Sequence, residues 1–509
     1  MLIFCDIGIC RIKNNREDRK MKKIFKLTAW ILLASMILSA LACAKAPDNE
    51  SATTTVANNN ATTAQISETT PEETADPNTV PEIPDTKYTG FTYRVANGFV
   101  GDTKYTTDSM FNYDITGEVL EDAIYTRTVE LEEKFDIKFE NCDVQYQAVI
   151  NSVNAGNNEY DLCTATLSHV MTVVNRKVVY DLHDISSLNL EKLWWDQNAG
   201  EKLSLNGHLY YTFSDFLITG MDNGRAVYFN KTMRKELDLP DLYQMVREGT
   251  WTYDKMAEMA EAAQSDLNGD GRINEADRVG IANNATTIYE ALLTGCDAEL
   301  VKQGDDGVPY FFCLDNQEEF VNVYQSLLST YTANDRLLIT SDAEKMFTDE
   351  KVLFYVGTLS AAVRMRQFEM DLGILPVPKW DEKQENYLNV SPNGHALMIP
   401  NSVQDTERSG VILEALSYYS SKYHSDDAVM PAYFETALTA RSARDDESAE
   451  SLQIIHDNIS YVIKVVGTVF SDMVYGYFST ENPNISSLLQ SSGKAQKSKL
   501  EKVMADFGS

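Results

Sequence analysis

The chain of 509 residues is poor in positive charge, poor in histidine, and without a motif that carries catalysis. Forty-four Lys and Arg face 76 Asp and Glu, a formal net charge of −32. Such a surface repels nucleic acid and anionic lipid headgroups, so nucleic acid is excluded as a partner. The six histidines, at 169, 183, 208, 395, 424 and 456, are scattered, and no H-E-x-x-H, G-x-S-x-G or phosphate loop occurs. Acids are abundant enough to leave a two-carboxylate glycosidase open, but no pair stands out by spacing. The seven cysteines include no C-x-x-C and no metal-type spacing. Cys142, Cys163, Cys296 and Cys313 could form two disulfides in an oxidising setting or pack as four free thiols; the sequence leaves both open.

Long hydrophobic runs are also scarce. The one present lies in Met21–Cys43, MKKIFKLTAWILLASMILSALAC. Lys22, Lys23 and Lys26 open it, the apolar run Leu27–Leu41 follows, and small residues precede Cys43. This is the layout of an export signal over 21–42. A transmembrane anchor is the alternative, although the run is shorter than the ~20 residues a bilayer crossing takes. The cysteine directly after the cut site resembles the lipobox of bacterial lipoproteins. That resemblance implies that Cys43 becomes the first mature residue and carries a lipid. The rest would then work on the outer face of the cytoplasmic membrane. Residues 1–20 form a charged lead-in to a signal that has its own basic start, and translation is expected to begin at Met21.

From Cys43 to Lys87 the sequence is rich in Thr, Asn and Pro and holds no aromatic residue. It cannot bury enough apolar surface to fold and reads as a tether with a mean span of about 35 Å. The folded body is expected from Tyr88. Phe91–Gly98 alternates apolar and polar residues into Asn-Gly, a strand entering a loop. Leu120, Ala123, Ile124, Leu131 and Phe135 share one face at helical spacing. Phe135–Glu140 and Tyr160–Leu167 read as further strands, with a short helix near Tyr146–Asn154 between them. The order β-α-β-α-β opens an α/β sheet of parallel strands, whose ligands collect beyond the carboxyl ends.

The stretches GHLYY (207–211), AVYFNK (226–231) and GTWTYD (249–254), then GILPVPKWDEKQENY (373–387), HALMIP (395–400) and AYFETALTARSARDDES (432–448), together resemble the extracellular solute-binding proteins of bacterial ABC importers, in particular the carbohydrate-binding, maltose-binding-like group. The resemblance runs from about Tyr88 to the C-terminus. It implies an α/β, two-lobed periplasmic-binding-protein-like fold with crossing hinge segments and an interlobe cleft. Lobe one would be 88–217 and 374–425, lobe two 225–373 and 426–509. It also implies a non-enzymatic monomer that captures a carbohydrate, an oligosaccharide, and delivers it to the ABC permease. A secreted carbohydrate-active hydrolase and a carrier of some other solute are the alternatives. Trp251, ahead of a helix that Thr252 could cap, reads as a hydrophobic staple.

For a sugar, the expected chemistry is aromatic faces and planar polar groups. Strand ends and crossings offer Asn97, Thr166, Ser168, His169, Asp215, Asp222, Asn223, Thr358, Asn393 and Tyr475. Trp194 or Trp195 could stack on a sugar ring, though an aromatic here is more often core than ligand platform, and each carboxylate could lie in a solvated loop. DLNGDGRINEAD (266–277) follows the calcium-loop pattern. Asp266, Asn268 and Asp270 fall at positions 1, 3 and 5, Gly271 at the turn, the Arg272 carbonyl at 7 and Asp277 at 12. Asp in place of Glu at the last position shortens the reach for bidentate capping. A structural Ca2+ is expected, a self-bonded polar turn being the alternative.

Overall fold

A computed structural model describes residues 77–98, 110–365, 367–434, 446–464, 469–479 and 484–507. The leader, Cys43 and most of the expected tether lie outside the described residues. Residues 77–87, expected as the tether's end, instead run against the body. The Leu193 N–H donates to the Asn78 carbonyl, and Lys192 sits 3.6 Å from Glu82. Ile83 packs on the core.

Two mixed sheets organise the body. The first has the order β12-β3-β1-β2, with β1 Phe91–Ala96, β2 Ile137–Cys142, β3 Leu162–Thr166 and β12 His395–Met398. The β1 strand pairs parallel with β2 and with β3, as the β-α-β-α-β reading requires. The β12 strand joins β3 antiparallel, with His395 opposite Thr166. The helix Val119–Phe135 covers this sheet through Ala123, Ile124, Leu131 and Phe135 and ends on Asp136 in the left-handed region. The second helix, Tyr146–Asn154, lies between β2 and β3.

The second sheet has the order β10-β4-β9-β5-β8. It is built from β4 Arg225–Asn230, β5 Val279–Asn283, β8 Leu337–Ile339, β9 Val352–Thr358 and β10 Leu372–Leu375. The strands β5, β8, β9 and β10 run in one direction, and β4 alone is reversed, paired antiparallel with both β10 and β9. Arg225 therefore sits opposite Thr358, and the start of β4 shares an edge with the end of β9. Two small pairs complete the set. β6 Lys302–Gln303 pairs with β7 Pro309–Tyr310, and β11 Asn389–Ser391 pairs parallel with β13 Ile459–Tyr461.

The chain thus builds two α/β lobes, each from separate stretches. The exchange points differ from the expected ones. The whole of β10 stays in the second sheet, so the chain leaves that lobe after Leu375 rather than at 374. The short helix Val429–Ala432 still packs on the helix Val119–Phe135 of the first lobe, so the first lobe extends past 425. Helix Asp446–Asp457 packs on β10 and belongs with the second. Both differences arise from pairings between remote segments, β10 with β4 and the helix Val429–Ala432 with Val119–Phe135, which bounds taken from the resemblance do not register.

Trp251 is fully buried, its Nε1–H donating to the Pro376 carbonyl at 2.9 Å. Thr252 does not cap the helix Tyr253–Ala263: its hydroxyl donates to Asp254 instead. Among the described residues the cysteines, Cys142, Cys163, Cys296 and Cys313, are free thiols, the last three buried. Among the described residues no helix is long and apolar enough to cross a membrane.

Candidate functional site

The carboxyl ends of β1 and β3 form one edge of the candidate site. After β1 the chain passes close to β3: Gly98 N–H donates to the Thr164 hydroxyl at 3.1 Å, and a Cβ at Gly98 would lie 2.1 Å from the Thr164 carbonyl oxygen. Only glycine fits there. After β3, the Thr166 hydroxyl is 2.9 Å from His169 Nδ1, and the His169 ring stacks on Tyr146 at 4.9 Å. The Ser168 hydroxyl donates to Asn393 Oδ1 at 2.8 Å. Four expected residues, Thr166, Ser168, His169 and Asn393, thus form one cluster, with His169 and Asn393 exposed. Asn97 lies one strand away and is buried, its backbone N–H donating to the Cys142 carbonyl.

A lysine that sequence reasoning missed belongs to this cluster. Lys464, three residues beyond β13, donates to the Ser168 hydroxyl at 3.2 Å and to the Pro392 carbonyl at 2.6 Å. Burial holds its ammonium below the usual lysine range, against the pull of Glu290 and Asp472. A lone cation in the apolar run ISYVIKVV was the available signal. Glu290 in turn sits 3.4 Å from Arg225, whose Nε is buried with no hydrogen-bond partner. Beside Arg225, the Thr358 hydroxyl is 2.7 Å from that of Ser360, which Arg364 reaches at 3.3 Å. Asn284, exposed after β5, accepts from Thr287 N–H and caps the next helix. Hydroxyls, amides and cations therefore gather at strand ends of both sheets, with Lys464 between them.

Other expected residues lie elsewhere. Trp194 is fully buried, with its Nε1–H donating to Glu414 Oε1 at 2.9 Å, so it cannot stack on a solute. Its neighbour Trp195 donates to the other Glu414 oxygen at 2.9 Å. Asp222 is buried and receives the Tyr433 hydroxyl at 2.7 Å. Burial pushes its pKa up to about 6, against the Tyr433 bond and the Arg364 charge. It braces the crossing rather than presenting an acceptor. Asn223 folds back, its Nδ2 donating to the Thr219 carbonyl. Tyr475 is buried beside a cavity of only about 30 Å³. Asp215 lines a separate cavity of about 470 Å³ that shares no residue with the strand-end cluster.

The loop 266–277 is closed at its neck by paired hydrogen bonds between Ser265 and Arg278. Asp266 accepts the N–H groups of Gly269 and Gly271, and the fully buried Asp277 accepts those of Leu267 and Asn274. Asn268 and Asp270 accept from Asp270 N–H and Arg272 N–H. Among the described residues no group of three or more His, Cys, Asp or Glu side chains is gathered closely enough to hold a metal ion.

A family profile described as bacterial extracellular solute-binding protein matches residues 127–417, more than half of the chain. The chain belongs to the bacterial extracellular solute-binding proteins. This family binds solutes and does not convert them, which removes the glycosidase alternative. Among solved structures, the solute-binding protein is similar to a cyclo/maltodextrin-binding protein complexed with maltotetraose. Identity is 15%, TM-score 0.51, covering 82% of this chain and 96% of that one. It is also similar to the GacH receptor of Streptomyces glaucescens, solved unliganded and with acarbose, at 13% identity and TM-score 0.51, covering 81% and 99%. UgpB from Mycobacterium tuberculosis, in complex with glycerophosphocholine, matches at 11% identity and TM-score 0.50, covering 81% and 98%. These likenesses establish the periplasmic-binding-protein type of fold. No curated protein sequence matches.

Proposed function

We propose that this solute-binding protein captures a carbohydrate, an oligosaccharide, between the strand ends of its two sheets and delivers it to an ABC permease. The observation that supports this most is the Lys464 cluster. Lys464 donates to Ser168, which in turn donates to Asn393, and its charge is drawn by Glu290, the partner of Arg225, so neutral and charged hydrogen-bonding groups gather around it. A hydroxyl-rich solute needs such a mixture of donors and acceptors. Closure on the solute would stabilise the form that docks on the permease. Lipidation at Cys43 would hold the carrier at the membrane. The oligosaccharide ligands of two of the similar structures support the sugar class; glycerophosphocholine in the third favours keeping a non-sugar solute as the second reading.

A thermal-shift screen of the purified protein against oligosaccharides, polyols and glycerophosphodiesters tests it, because a solute that binds only the folded state raises Tm. Stabilisation by an oligosaccharide without its cleavage supports the reading; stabilisation by a phosphodiester alone replaces the substrate class. The loop 266–277 is proposed to take a structural Ca2+, on the pattern of its oxygen-bearing positions. Calcium should raise Tm and a chelator should lower it; no response would leave the loop a self-bonded turn.

A further inference from the structure

The 470 Å³ cavity lies on the crossing segments and draws its walls from both lobes: residues 193–198, 213–221 and 422–434 on one side and 453–461 on the other. Its volume is within the range of small-molecule sites. Aromatic rings dominate its apolar lining. Phe213 and Tyr461 stack at 4.1 Å, Phe434 meets His456 edge-on at 5.2 Å, and the buried Trp195 completes the set. The charged groups are unbalanced. Asp196, Asp215, Asp426 and Asp457 face it, against Lys422 and His456.

The acids differ in how far they are occupied. Asp457 is paired with His456 at 2.9 Å, and Asp196 accepts the Tyr461 hydroxyl at 2.5 Å and the Ala199 N–H. Asp215 is half-buried; the His456 charge acts on it most among its neighbours, the Ser421 hydroxyl and Lys422 also favour its charged form, and Asp196 opposes it. Electron-rich ring faces beside excess carboxylate form the environment that attracts an organic cation, whose charge is stabilised by both.

We propose that this cavity is a second ligand site, separate from the strand-end cluster, that takes a small organic ammonium ion between its aromatic walls with Asp215 as counter-ion. The test is calorimetric titration of the purified protein with choline and with its uncharged isostere 3,3-dimethylbutan-1-ol. Choline should bind and the isostere should not. Asp215→Asn should weaken choline about ten-fold or more, the loss of a charged contact in a half-buried setting. His456→Gln should tighten it by removing a competing cation, a gain that misfolding cannot mimic. Ser168→Ala, at the strand-end cluster, should leave choline binding unchanged. Absence of choline binding, equal binding of the isostere, or loss with Ser168→Ala instead of Asp215→Asn overturns the proposal. So does loss of oligosaccharide binding in Asp215→Asn alone, which would make the cavity the cargo site.

Discussion

Replacing Lys464 by methionine removes the cation that anchors the Ser168–Asn393 pair while keeping most of the side-chain volume. Two hydrogen bonds are lost, one of 3.2 Å to the Ser168 hydroxyl and one of 2.6 Å to the Pro392 carbonyl. Bonds from a charged donor contribute roughly 1.5–3 kcal/mol each. Against this, burial disfavours the ammonium, as its lowered pKa shows, and methionine escapes that cost. The net loss of stability is therefore modest, on the order of 1–2 kcal/mol. The effect on solute binding should be larger in proportion: about 10- to 100-fold in Kd, or roughly 1.4–2.8 kcal/mol, if the solute contacts groups that Lys464 positions. A pH signature accompanies it. The folded pKa lies below the ordinary 10.5, so the native state holds this proton less tightly than the unfolded chain. Stability is lowest where folded Lys464 is charged and rises as pH climbs from its folded pKa to the unfolded value. Lys464→Met should flatten that rise. Calorimetric titration with the stabilising oligosaccharide and urea unfolding between neutral and alkaline pH measure both effects. Unchanged affinity with a lowered urea midpoint would show that Lys464 is structural and refute its place in the solute site.

Two further outcomes follow from the same contacts. Burial raises the Glu414 pKa from 4.5 to about 7, despite the bonds from Asn189, Trp195 and Trp194. Its stabilising contribution is complete below pH 4.5 and disappears as pH rises through 7, on the order of 3 kcal/mol at most. Glu414→Gln should remove that part of the pH dependence of urea unfolding between pH 4.5 and 8, and an unaltered profile would assign the slope to Asp215 and Asp222. Gly98→Ala forces a Cβ to within 2.1 Å of the Thr164 carbonyl, so the loop after β1 must shift. Solute affinity should fall more than Tm does; a normal affinity would place the solute away from β1.

Much of the first sheet was readable from local pattern. The alternation of FTYRVA and the helical stripe from Ala123 to Phe135 depend on neighbours in sequence, and both formed as expected. The antiparallel strands β12 and β10 were not readable as such, because their partners lie some two hundred and more than one hundred residues away. The same distance separates the legible from the illegible parts of the site. Thr166 ends a strand and Ser168 and His169 follow it, so all three fall at its carboxyl end by rule. Trp194 looked like a sugar platform because nothing near it in sequence shows Glu414, which fixes it in the core. Asp222 looked like a crossing-loop acceptor because Tyr433 is equally remote. Lys464 was missed for the converse reason: a single cation among apolar residues gains meaning only when Ser168 and Pro392 are brought beside it.

The central claim is that the solute lies at the meeting of the two sheets' strand ends. A crystal structure of the protein with the oligosaccharide that raises its Tm most tests this directly. Solute hydroxyls within hydrogen-bonding distance of Ser168 or Asn393 on one side and of Lys464 or Arg225 on the other are the predicted result. Density for the sugar in the cavity lined by Trp195 and Asp215, or on an outer face of either lobe, would contradict it.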